Sequence, residues 1–179
     1  MENFQQIHFR QTKHGDGQVS SVLFDDTTDL VWTGDLKGRA TSYSGPSLTA
    51  YTSFVATNGG APIVQFLNHP RGILALGKYS LKLSNRQSFP LWHVGPHSPS
   101  MRVLETSELR NFTAMCYGSA SQSSVVIGGE IDAGLIDFDL NKLKVSSTIS
   151  HEGKVAVMKS SNKYLVVGNA NGSLDILDP

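Results

Sequence analysis

With 179 residues, the chain is long enough for one domain with a full core, or for several small repeats sharing one. Lys plus Arg and Asp plus Glu balance at 15 each, which excludes a wholesale electrostatic grip on nucleic acid or an anionic membrane and leaves room only for a local patch. The single cysteine, Cys116, excludes an intramolecular disulfide framework, and charge is sparse at 17% while Gly, Ser and Thr are plentiful, the balance of many short strands and tight turns.

The opening 18 residues show no apolar run of the kind a secretory leader needs, and no run in the chain approaches the roughly 18 residues that span a bilayer. Together with the lone cysteine, this predicts a soluble, cytoplasmic chain that does not contact membrane. Residues 4–10 (FQQIHFR) alternate loosely and, within residues 1–12, are expected to serve as a closing strand, because ring closure removes exposed sheet edges.

Four units follow. The first, near 19–57, reads VSSVLF, DLVWTG, GRATSYS and SLTAYTSFV; the second, near 62–94, reads PIVQFLNH, GILALG, YSLKLSN and SFPLWHV. A link of residues 95–110 opens with GPHSPS and holds the one hint of helix, at 107–111. The third unit, near 112–150, reads FTAMCYG, SSVVIGG, GLIDFDL and KLKVSSTIS; the fourth, near 155–179, offers VAVMKS, KYLVVG and SLDILD without an outer strand. A glycine ends the second strand of each unit, at Gly34, Gly77, Gly128 and Gly168, so the intervals are 43, 51 and 40 residues. Periods of about 40–50 residues with several strands per unit mark β-propeller blades. In the first and last units the glycine opens a Gly-x-x-x-Gly turn, Gly34 to Gly38 and Gly168 to Gly172, where hairpin geometry calls for positive φ. The fold class read from this is all-β: a propeller segment of about four WD-type blades of four antiparallel strands, part of a seven-bladed ring.

The search for chemistry finds no catalytic, cofactor-binding or metal residue. His93 and His97 have i, i+4 spacing, but Gly95 and Pro96 between them forbid the helix that would aim both inward. His69, before Pro70, reads as part of a turn, as do Asp25, Asp26 and Asp29. Cys116 sits at an alternating apolar position and reads as a core thiol. In GLIDFDL, Ile136, Phe138 and Leu140 share one face with Leu135 out of phase, and Asp137 and Asp139 read as a solvated face. Arg86, Phe89 and Trp92 form the nearest basic and aromatic grouping. They are the candidate partner-contact surface, with base stacking on RNA as the sharper reading and packing within a blade as the plainer one.

The wording of the repeats carries a resemblance. SVLFDDTTDLVWTGDLKGRATSY, HPRGILALGKYSLKLSNRQ, TAMCY and SSNKYLVVGNANGSLDILDP, with Trp32, Gly34 and Asp35 in one turn and Leu177 to Pro179 at the close, resemble the N-terminal WD-repeat propeller of catalytic subunits of the poly(A) nuclease deadenylation complex, fungal type. The resemblance covers residues 19–179, though the Trp-Asp and Gly-His dipeptides of standard WD repeats are missing. It implies a scaffold region without catalytic residues, belonging to a metal-dependent poly(A)-specific 3′-exoribonuclease whose divalent metal sits in a separate nuclease domain. It also implies a role in mRNA poly(A)-tail shortening and decay in the cytoplasm and P-bodies, docking a pseudokinase subunit and poly(A)-bound protein. The alternative is a WD-type adaptor of another intracellular complex. An arc of blades that does not close leaves end faces uncovered. The isolated chain is therefore expected to self-associate as a closed dimer exchanging N-terminal strands, or to aggregate, unless it closes alone as four blades.

Overall fold

Apolar residues on both faces of a strand demand cover on both sides, and the chain meets that demand by stacking sheet on sheet. The computed structural model describes residues 17–45, 48–95, 111–118, 121–130, 134–161 and 163–178. The strands are β1 (Val19–Asp25), β2 (Leu30–Asp35), β3 (Arg39–Ser44), β4 (Thr49–Val55), β5 (Ile63–His69), β6 (Gly72–Gly77), β7 (Ser80–Ser84) and β8 (Pro90–Val94). They continue as β9 (Phe112–Tyr117), β10 (Ser124–Gly129), β11 (Leu135–Asp139), β12 (Lys144–Ile149), β13 (Val155–Ser160), β14 (Leu165–Asn169) and β15 (Leu174–Leu177). Each sheet is antiparallel and in chain order: β1 to β4, β5 to β8, β9 to β12, then β13 to β15. This is the all-β architecture of a propeller segment, with three four-stranded blades and, among the described residues, a three-stranded fourth. The closing strand expected at 4–10 and most of the link after Gly95 lie outside the described residues. Asn111, at the end of the hinted helical turn, has a left-handed φ of 59°.

The first strands line up side by side, β1 against β5, β5 against β9 and β9 against β13. The core consequently lies in the seams between blades. Leu30, Trp32, Ile63 and Phe66 fill the first seam; Leu74, Leu83, Met115 and Phe138 the second; Cys116, Leu135, Met158 and Val167 the third. Because the middle blades are covered on both sides, neighbours such as Leu135 and Ile136 are both buried. Leu135 is therefore not out of phase: it faces the fourth blade while Ile136 faces the second.

The repeated glycines divide into two roles, which corrects the expectation that all need positive φ. Gly38 and Gly172 do have positive φ, 79° and 87°. Gly34 and Gly128 instead allow the next blade's first strand to come close. A Cβ there would lie 2.7 Å from Ile63 and from Val155 respectively, inside van der Waals contact. A hydroxyl stitches the same two seams. Ser20 donates to the Ile63 carbonyl at 2.6 Å, and Thr113 donates to the Val155 carbonyl at 2.5 Å. In the middle seam the Met115 amide donates to Gln65 Oε1 at 2.8 Å.

Candidate functional site

Of the three candidate contact residues, Arg86 has the most constrained place. β1 ends at Asp25, whose side chain has no exposed surface. It closes the following turn by accepting the Thr27 amide at 3.1 Å and the Thr28 hydroxyl at 2.8 Å. From the turn between β7 and β8, Arg86 reaches it with two bonds, Nε to Oδ2 at 2.6 Å and Nη2 to Oδ1 at 3.2 Å. The guanidinium also donates to the carbonyls of His69 and Pro70, at 3.4 and 3.5 Å. Burial pushes the Asp25 carboxyl upward. The paired guanidinium, the Thr28 hydroxyl and the Thr27 amide more than offset this, and the net shift is below the ordinary value of 3.8. Asp25 is thus more than the turn residue its sequence suggested: with Arg86 it bolts the first blade to the second.

Phe89 sits in the same turn as Arg86, and at 64% exposure its ring is free for contact. Trp92 is not beside it. Its cross-strand partner is Leu83, a core residue, so the indole shares that face and packs half-buried against the second seam. Arg86 and Phe89 therefore share a turn, with the guanidinium committed to Asp25 and the Phe89 ring exposed, whereas Trp92 turns inward. Nearby, Lys82 donates to the Val55 carbonyl at 2.8 Å with its ammonium 5.5 Å from the centre of the Phe54 ring.

Both described histidines of the second blade are held below the usual value of 6.5. For His69 the cause is burial, then the Arg71 and Arg86 charges; for His93 it is burial, then Lys82. His69 Nδ1 accepts the Arg71 amide at 3.1 Å, which confirms its place in a turn. A histidine whose folded pKa is depressed binds a proton first in the unfolded chain. Stability is therefore full above 6.5 and falls as pH drops below it. Asp25 adds a second loss below 3.8. Urea midpoints measured from pH 8 to pH 3 should fall in those two stages; a flat profile between pH 7 and 5 would show that the histidines do not contribute.

Cys116 is buried, and burial pushes its thiol up, against weaker pulls downward from Ser160 and Lys159. It is a core thiol. Burial likewise pushes Tyr117 to about 12, its hydroxyl donating to the Asn68 carbonyl. Asp139 caps the turn after β11 by accepting the Asn141 and Lys142 amides, both at 2.8 Å. Asp137 is only partly on a solvated face: it is half-buried beside the fourth blade, and one carboxylate oxygen is closed off from solvent with no hydrogen-bond partner among the described residues. It borders a cleft of ≈ 330 Å³ between the third and fourth blades, lined also by Tyr117, Ser147, Tyr164, Leu177 and Asp178.

One network escaped the sequence reading. His151 Nε2 lies 2.9 Å from Asn169 Oδ1, and Asn169 Nδ2 donates to Ser173 at 2.9 Å and to Asp175 at 2.7 Å. A histidine just ahead of a blade's first strand was its only signal, obscured because Ser150 precedes it in place of glycine. Among the described residues no group of three or more His, Cys, Asp or Glu side chains is placed to hold a metal ion. No helix among them is long and apolar enough to cross a membrane.

The profile of the family described as PAN2 N-terminal matches residues 4–178. The PAN2-PAN3 deadenylation complex catalytic subunit PAN2 of Eremothecium gossypii is 40% identical over 162 residues, covering 90% of this chain and 13% of that protein. Its counterpart in Kluyveromyces lactis is 36% identical over 163 residues, covering 90% of this chain and 14% of the relative. The chain thus spans about one seventh of the curated relatives it matches. The solved Neurospora crassa Pan2 WD40 domain superposes with a TM-score of 0.80 at 26% identity, over 93% of this chain and 48% of that domain.

Proposed function

The chain belongs to the PAN2 N-terminal family, and on that premise we propose that it is a non-catalytic WD-repeat scaffold of a cytoplasmic poly(A)-tail-shortening nuclease. The observation that carries this reading is the family match across residues 4–178 on a fold shared with a Pan2 WD40 domain. In this reading the blades present rim and loop surface, Phe89 included, to the pseudokinase subunit and to poly(A)-bound protein. The hydrolytic step, with its divalent metal, belongs to another part of the parent protein. The parent's assembly provides the test. Deleting residues 17–178 from it should abolish or sharply reduce recovery of the pseudokinase subunit on a tagged parent while leaving metal-dependent trimming of free oligo(A) measurable. Undiminished recovery, or oligo(A) shortening by a rigorously cleaned preparation of this chain alone, would overturn the proposal.

The ends of the arc support a second part of the reading. Val22 and Phe24 are exposed on the first blade, and Val157, Leu174 and Ile176 on the fourth, so two apolar sheet faces stand open. Further blades stacked on these faces would complete a ring. Isolated, the chain is expected to associate through them, and light scattering should show a mass above one chain at micromolar concentration. A monomer that unfolds cooperatively would refute this.

A further inference from the structure

Three buried polar atoms in the seam between the first and second blades have no hydrogen-bond partner among the described residues: Trp32 Nε1, Ser42 Oγ and Ser84 Oγ. Their residues are 0%, 0% and 1% exposed, so bulk solvent does not reach them. Strand register brings the three together. Trp32 stands directly opposite Ser42, and Ser42 directly opposite Thr52, so all three share one face of the first blade. That face looks at the second blade, where Ser88 Oγ receives the Thr52 hydroxyl at 2.8 Å. On the second blade Ser84 is paired with Ile73, which packs in the same apolar cluster as Trp32. Lys82, two residues before Ser84, bonds the Val55 carbonyl and lies over Phe54, the cross-strand partner of Ala40. Two steps along β7 from Lys82, and two along β3 from Ala40, bring Ser84 level with Ser42.

A buried donor or hydroxyl without a partner is costly, and three at one level of one seam point to a shared ligand. Facing sheets stand about 10 Å apart, which leaves two seryl hydroxyls aimed at each other about 5 Å apart. That is too far for a direct bond and matches two bonds of about 2.8 Å through one oxygen. The seam has room for that oxygen. Its cluster includes Ala40, Ala56 and Ala75, whereas the next seam is filled by Leu, Val, Met and Phe side chains. The indole can only donate, while a hydroxyl both donates and accepts. A ligand that accepts one hydrogen bond and donates two, in a space one oxygen wide, is water.

We propose that Trp32, Ser42 and Ser84 form a binding site for one internal water. The water accepts from Trp32 Nε1 and donates one proton to each seryl oxygen, tying the first blade to the second alongside the Arg86 and Asp25 pair. The site lies inside the seam, away from the open faces at Val22 and Val157.

The test uses the full 179-residue chain labelled with ¹⁵N, whose two tryptophans give two indole N–H signals. Trp32→Phe identifies the Trp32 signal by its loss. In the unaltered protein, the Trp32 indole proton should show a nuclear Overhauser effect from water with the sign of a long-lived bound molecule. The effect should survive in Ser42→Ala and in Ser84→Ala, because either variant leaves the water two partners. In the double variant it should fall at least fivefold. Loss in one single variant alone would make that hydroxyl proton the source of the effect and overturn the proposal. Full persistence in the double variant would also overturn it, since the serines would then hold nothing. Absence of the effect in the unaltered protein would refute the site outright, whether or not the variants fold.

Discussion

Replacing Trp32 with alanine is expected to cost about 3–5 kcal/mol, the range for emptying a fully buried aromatic site. The ring has no exposed surface and sits in the seam between the first two blades. It meets Phe54 edge-on, with ring centroids 6.1 Å apart and planes at 73°. Phe54 in turn lies under the Lys82 ammonium, so the cavity would loosen a contact reaching into the second blade. The indole Nε1 has no hydrogen-bond partner among the described residues. Trp32→Phe, which keeps an aromatic ring and removes that unpaired donor, should therefore cost clearly less than alanine. Urea unfolding at one fixed protein concentration measures both, the fixed concentration guarding against linkage to self-association. A loss below about 1 kcal/mol for alanine would mean that the seam is not packed as described.

Arg86→Met should be nearly as damaging, about 3–5 kcal/mol, for a different reason. It removes the cation and leaves the Asp25 carboxylate buried and uncompensated. The remaining Thr27 and Thr28 donors are turn contacts that the unpaired carboxylate would keep, and they do not neutralise its charge. The comparison that identifies the mechanism is the double variant with Asp25→Asn. Asparagine keeps an oxygen for the Thr27 amide and carries no charge, so the double variant should be more stable than Arg86→Met alone. If the two single losses instead add, the ion pair is incidental and the residues act independently. Phe89→Ala, in the same turn, serves as the control: its ring is exposed, and its loss should leave stability within about 0.5 kcal/mol.

The sequence by itself determined the strands and their grouping. Period-two alternation and the recurrence of Gly34, Gly77, Gly128 and Gly168 are local properties, set by backbone sterics and by the pleat. Leu30 and Trp32 could be assigned to one buried face on that ground alone, and both are buried. Tertiary structure decided whatever depends on what one blade lays against the next. Asp25 and Arg86 are 61 residues apart, and nothing in either turn reports that the other exists. Asp137 alternates like a solvent-facing residue, yet it is half-buried with one oxygen closed off, because in a propeller both faces of a middle sheet meet a neighbouring blade and the period-two rule cannot tell one such face from the other. Gly34 reads as a turn glycine, but its place is fixed by Ile63 of the following blade, whose approach leaves no room for a Cβ.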